Sequence, residues 1–190
     1  MNSRTLSSKK MLALVWIGAT FVAHPAVAAD NAVQAGVLVN PAGSIALVGY
    51  ERMVTPGVAL GVRAGSISYD YWDGSYHEWG SGSGVDVTAF HYFGGRNFEG
   101  AFIGVAVGKW SVDWDWYDST AARRSGWGTT SLTNFGAHFG YNIVLGNGPV
   151  YLQPSIAIGS YSGSSKDNTG TKEGGGGAYG GAGLAIGARF

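Results

Sequence analysis

No cysteine occurs anywhere in the chain. That excludes a disulfide framework, a cysteine-ligated metal centre and a thiol nucleophile. Charge of one sign is missing too: Lys+Arg and Asp+Glu number 12 each and no basic run occurs, so a nucleic-acid-binding surface is not indicated. Beyond residue 29 no apolar run approaches the ~18 residues of a membrane-spanning helix. No long segment there keeps a helical period either. What the chain has instead is glycine, 33 residues of it, and frequent aromatics, 13% of the total. The aromatics sit inside alternating segments, which argues against a disordered glycine-rich tail.

The N-terminal stretch "MNSRTLSSKKMLALVWIGATFVAHPAVAAD" has a basic start (Arg4, Lys9, Lys10), an apolar core from Met11 to Val22, and small residues after it. This reads as a secretory signal peptide. Ala26 and Ala28 set a cut before Ala29, and Val27 with Ala29 a cut before Asp30. The expected domains are a signal peptide at 1–29 (or 1–28) and a single body at 30–190. The body carries nine basic against twelve acidic residues, a net charge of −3.

Eight stretches alternate apolar with polar or small residues, the signature of strands with two unlike faces. They run at about Ala32–Val39, Ser44–Val54, Val58–Tyr71, Val85–Phe93, Ala101–Tyr117, Trp127–Leu145, Val150–Ser162 and Ala178–Phe190. Compact turns (55–57, 94–100, 145–149) alternate with longer polar connections (72–84, 118–126, 163–177); 40–43 is a short exception. An even strand count, short turns on one side and longer loops on the other predict an all-β fold: an eight-stranded antiparallel transmembrane β-barrel, up and down. Several stretches exceed the 5–6 residues usual in a soluble sheet and suit the roughly 9–11 of a tilted membrane strand.

Facing follows from parity. In the sixth stretch Phe135, Ala137, Phe139, Tyr141 and Ile143 share one side, and Asn134, Gly136, His138, Gly140 and Asn142 the other. The apolar set is expected to meet lipid and the polar set a narrow lumen. In three strands the apolar parity switches after Gly65, Gly108 and Gly159. A slip of one residue turns every side chain over, so a bulge is expected beside each of these glycines. Two aromatic girdles are expected at the interfaces. Tyr50, Phe93, Phe102, Tyr141, Tyr151 and Phe190 mark the short-turn side; Tyr69, Tyr71, Trp110, Trp114 and Trp116 mark the loop side.

Parity assigns Glu51, Arg63, Asp86, Lys109, Asp113, Asp115 and Arg189 to the lumen, beside Asn134, His138 and Asn142. Charges there should be paired. Antiparallel pairing across "TPG" (55–57) brings Glu51 diagonally close to Arg63.

The signal peptide, "GYERMVTPGVALGVRAGSISYDY" (49–71) and the terminal "GLAIGARF" (183–190) resemble the small eight-stranded outer-membrane proteins, the opacity-type, Ail-like and OmpA-type membrane domains. The resemblance implies the bacterial outer membrane with both termini periplasmic, and contact with outer-membrane lipid and lipopolysaccharide. It also implies that the last strand, through Leu184, Ile186, Ala188 and Phe190, carries the signal read by the barrel assembly machinery. A monomer acting through surface loops, by recognition or adhesion, or as a structural envelope protein, is the expected function. Lipid A deacylases of this architecture offer the alternative. Those enzymes carry His-x-Ser on one strand, and none of His77, His91 and His138 has Ser two residues on. The acidic runs "DYWDG" and "DWDWYD" lack the ligand spacing of a calcium loop. No cofactor, catalytic residue, metal site or nucleic-acid partner is expected.

Overall fold

The computed structural model describes residues 29–41, 43–94, 97–120 and 124–190; the expected signal segment, 1–29 or 1–28, lies outside them but for Ala29. The alternating stretches become eight strands: β1 (Asn31–Asn40), β2 (Gly43–Thr55), β3 (Val58–Asp73), β4 (Tyr76–Tyr92), β5 (Gly100–Asp118), β6 (Arg124–Val144), β7 (Val150–Asp167) and β8 (Lys172–Arg189). Each pairs antiparallel with its sequence neighbour, and β1 pairs with β8 to close the barrel. Gly57 and Gly146, at φ 80° and 65°, supply the left-handed turn residues after β2 and β6.

The ladders wind rather than form level rings. Following partners from Gly36 through Leu47, Gly65, Gly84, Trp110, Leu132 and Gly163 arrives at Gly175 on β8. Gly36 itself pairs with Ala185, so the stagger around the barrel is ten residues. Such a stagger requires strongly tilted strands, at about 35–45° to the axis.

The barrel is inverted relative to a soluble one over its lower part, the end with the 55–57 turn. Val37, Val48, Val62, Val87, Val105, Phe135, Phe139, Ile158 and Leu184 all stand exposed on the outer surface. Glu51, Arg63, Thr88 and Asn142 are buried inside. On β6 the outward apolar positions extend to Leu145 in the following turn, and from there up to Phe135 the ten-residue rise along a tilted strand spans about 25 Å. That is the height of the apolar band of a membrane barrel.

No register shift accompanies Gly65, Gly108 or Gly159: pairing runs unbroken through all three, and the expected bulges are absent. The recorded irregularity falls elsewhere, between Met53 and Thr55. The parity switch has a different physical cause. Just above each glycine the outer face passes from aliphatic residues to Ser66 and Ser68, Lys109 and Ser111, Ser160 and Ser162, all exposed. Above that line the outside is polar, so bulky residues turn inward. The backbone stays in register and the solvent changes.

Three strands are longer than expected by five residues or more, among them β7, which ends at Asp167 rather than 162. β4 begins at Tyr76 rather than 85, and β8 at Lys172 rather than 178. The "GSGSG" at 80–84 is therefore strand, not flexible loop. A Cβ at Gly84 would lie 2.2 Å from the Trp110 ring, and one at Gly80 2.5 Å from that of Tyr69. Glycine is required there because the opposing strands fill the same space. By contrast β1 and β2 stop low: pairing of β1 with β8 ends at Val39–Ala182, and of β2 with β3 at Gly43–Tyr69. The upper wall is thus notched above the 40–43 turn.

Candidate functional site: a plugged lower lumen beneath an aromatic cavity

The lower lumen is packed around one carboxylate. Glu51 is wholly buried, at 0% exposure. Its Oε1 accepts from Gln34 Nε2 at 2.6 Å and from Arg63 Nη2 at 3.1 Å, and its Oε2 accepts from the Tyr92 hydroxyl at 2.7 Å. The Arg63 guanidinium also stands 4.6 Å from the centroid of Phe90. One charge pair with neutral donors and a π-face is the arrangement that makes a buried ion pair tolerable. Phe90 in turn meets Phe102 edge-on at 5.4 Å and His138 edge-on at 5.9 Å.

The bottom of the lumen is closed by the β4–β5 turn. Phe98, 0% exposed, packs edge-on against Tyr92 at 5.4 Å. Asn142 Nδ2 donates to the Phe98 carbonyl at 2.9 Å, and Asn142 Oδ1 accepts from Gln153 Nε2 at 2.9 Å. Arg189 Nη1 donates to the Asn97 carbonyl at 2.8 Å and forms an ion pair with Glu99. Asn97 and Phe98 both adopt positive φ, 76° and 53°. That conformation is common for Asn and rare for Phe, and here it folds the Phe98 ring into the barrel. "GGRNFEG" read as a turn gave no sign of this; an aromatic within a tight turn was the available clue.

Several residues stand elsewhere than expected. Lys109 and Asp113 are exposed on the outer face, and Asp115 shares that face, between Trp79 and Trp127 across the ladders. Asp113 accepts there from the Thr129 hydroxyl at 2.7 Å. Conversely, Phe102, Tyr151 and Trp110 are buried inside, and Tyr69, Trp114 and Trp116 lie on the inner parity with them. Tyr71 shares that parity at the rim, half exposed. The reason is the one given for the parity switch: these strands continue above the apolar band. Tyr50, Phe93, Tyr141 and Phe190 are exposed on the outer face at the lower end, Tyr50 donating to Asn31 Oδ1 at 2.6 Å. Leu184 and Ile186 are exposed outward beside them, and Ala188 is covered.

The upper outer face carries aromatics that parity did not single out. Trp72 stacks on His77 at 3.7 Å, and His77 leans on Trp79 at 4.5 Å. His77 Nε2 lies 3.1 Å from Asp70 Oδ1. At the β7–β8 turn, outside the band, Asp167 accepts from the Thr169 hydroxyl and from the Thr169 and Thr171 amides. These bonds, the hydroxyl's first, hold its carboxyl below the usual range.

Above the plug, the lumen opens into a cavity of about 420 Å³ toward the notched end. Trp110, Trp114, Tyr69, Tyr161 and Tyr179 form much of its wall, with Leu38, Ile67 and Leu132 between them. Its floor holds Asp86, Asn134 and His138. Asp86 Oδ1 accepts from Trp110 Nε1 at 3.0 Å. Glu78, nearer the rim, accepts from the hydroxyls of Tyr69 and Tyr76. Among the described residues no group of three or more His, Asp or Glu forms a metal cluster.

An even, closed, inverted barrel with a packed lower lumen decides the fold. It is the fold of the small eight-stranded outer-membrane barrels. No family model and no curated protein matches the chain. Among the solved structures similar to it are these three. The N-terminal β-barrel domain of Pseudomonas aeruginosa OprF shares 19% identity over 86% of this chain and 100% of that one, with a TM-score of 0.47. A major outer membrane protein from Thermus thermophilus shares 16% over 86% and 100%, at 0.46. The β domain of the Bordetella autotransporter BrkA shares 13% over 86% and 99%, at 0.31.

Proposed function

We propose that the chain is a non-enzymatic β-barrel of the bacterial outer membrane, closed to transport, whose working face is its notched upper end. The observation that carries this reading is the outer surface: an apolar band about 25 Å high that gives way at one line to Ser, Thr and Lys. In water such a band would drive association. In hydrocarbon it is the only outer face a closed sheet can present. The band then contacts outer-membrane lipid and lipopolysaccharide, and Leu184, Ile186, Ala188 and Phe190 serve the assembly machinery. Asn31 and Phe190 exchange backbone hydrogen bonds at the lower end, which this reading makes periplasmic.

Surface recognition is favoured over a purely structural role by the exposed Trp72–His77–Trp79 stack, which sits on paired strand rather than on a floppy loop. Lipid A hydrolysis has no such support: His138 packs edge-on against Phe90 in the lumen, and His91 stacks edge-on against Phe93 on the outer face. The chain refolded into lipid is expected to give a strand-dominated circular dichroism spectrum and no steady, porin-sized current in planar bilayers. A folded chain that stays soluble without detergent would defeat the membrane reading. A porin-sized current from the monomer would defeat the closed lumen.

A further inference from the structure

We infer that the upper cavity is a binding site for a small organic cation: a primary ammonium group on an aromatic or aliphatic body. The inference rests on the reading of the notched end as the working face and names what that face takes.

The argument starts from a shortage of positive charge. Arg63 and Asp86 are direct partners across the β3–β4 ladder, and both point inward. Yet Arg63 turns down to Glu51, at 3.1 Å, and forms no salt bridge with Asp86. Two buried carboxylates compete for one guanidinium, and Glu51 takes it. Asp86 is left 8% exposed with Trp110 Nε1 as its hydrogen-bond donor. A buried carboxylate without a cation is costly, and this one borders the cavity. A second, independent atom points the same way. Asn134 Oδ1, also on the floor, is buried and has no hydrogen-bond partner. Both groups are acceptors: Asp86 has one neutral donor and no cation, and Asn134 Oδ1 has no donor at all.

The rest of the lining sets the chemical class. Among the described residues two carboxylates, Asp86 and Glu78, border the space, with one imidazole and neither Lys nor Arg. An anionic ligand would meet like charge. Around the acceptors stand Trp110, Trp114 and three tyrosines, whose faces attract cations and bury apolar carbon. A volume of about 420 Å³ lies within the roughly 300–1,000 Å³ of small-molecule pockets. An ammonium group seated between Asp86 and Asn134, with its body against the aromatic wall, satisfies every one of these features.

The test uses the full barrel in lipid nanodiscs and three probes of one shape: 2-naphthylmethylamine, 2-naphthylmethanol and 2-naphthoate. Calorimetric titration is corrected with nanodiscs lacking protein. The amine is expected to bind at least about tenfold more tightly than the alcohol, and the carboxylate not to bind. Asp86→Asn, close in shape, should abolish the preference for the amine while keeping the alcohol's affinity. Val112→Trp, which fills the cavity, should remove binding of both. Equal binding of amine and carboxylate overturns the proposal. So does a preference that survives Asp86→Asn, or heat no greater than that of empty nanodiscs. The circular dichroism of each sample reports separately whether the barrel has formed in lipid. A formed barrel that ignores the amine removes this inference and leaves the membrane reading standing.

Discussion

Glu51→Ala is expected to lower the free energy of unfolding by about 3–5 kcal/mol, the range for breaking a buried ion pair from one side. The substitution strands three donors at once: the Arg63 guanidinium, the Gln34 amide and the Tyr92 hydroxyl all point at the missing oxygens. Arg63 is the costly one, because it stays charged and lies 7% exposed in the lumen. Its Nε already has no partner, and with Glu51 gone Asp86, across the β3–β4 ladder, is the one carboxylate facing it among the described residues. Glu51→Ala with Arg63→Met should therefore be more stable than Glu51→Ala alone, since the uncompensated cation goes too. Chemical unfolding in lipid, followed by tryptophan fluorescence, measures both. A double variant less stable than the single one would show that the guanidinium does not depend on Glu51.

Phe139→Arg is expected to cost about 2–4 kcal/mol, the value for arginine near the middle of a barrel's apolar band. Phe139 stands on the outer face of β6, 39% exposed, well inside the run of outward apolar residues. Thr133→Arg is the matched control. It lies on the same strand and the same face, six residues higher, where the outer surface is already polar. Its expected cost is near 0–1 kcal/mol. Equal costs at the two positions, by unfolding in lipid, would move the hydrocarbon boundary away from the line argued here. His138→Arg makes a poorer control, because the imidazole and the Arg63 guanidinium both pack against Phe90 and a second guanidinium would crowd that ring.

Much of the barrel was legible in the sequence wherever one rule applied along a whole strand. On β6 the outward Phe135, Phe139 and Tyr141 and the inward Asn134, His138 and Asn142 follow from alternation alone, because lipid demands the large apolar set. Glu51 and Arg63 could be paired from the turn between β2 and β3. The rule that apolar residues face out fails above the apolar band. There Trp110 and Trp114 go in while Lys109 and Asp113 come out, though the backbone has not changed phase. Read as one solvent, that reversal imitates a bulge. Read as two, it marks the membrane boundary. The glycine–serine run of β4 hid for another reason: with no side chains on its inner face, it shows no alternation of bulk. Its pattern makes sense only beside the rings of Tyr69 and Trp110 that it accommodates. Phe98 left one clue, an aromatic within a tight turn, but its inward fold depends on a positive φ that alternation does not reveal.

The short first strand sets where the wall gives way. β1 is joined to β8 only from Asn31 to Val39, and to β2 only from Asn31 to Asn40, whereas β5 and β6 are zipped from Gly100 to Asp118. Because the ladders wind by ten residues, no strand can slide lengthwise without breaking both its seams and turning its side chains over. Thermal opening must therefore peel a seam sideways, and the cheapest seams are the two flanking β1. Amide protons of β1 should exchange with solvent first and those of β5 and β6 last, with local opening free energies ordered accordingly. The wall is a zipper with one short side, and that side lies directly beneath the notch.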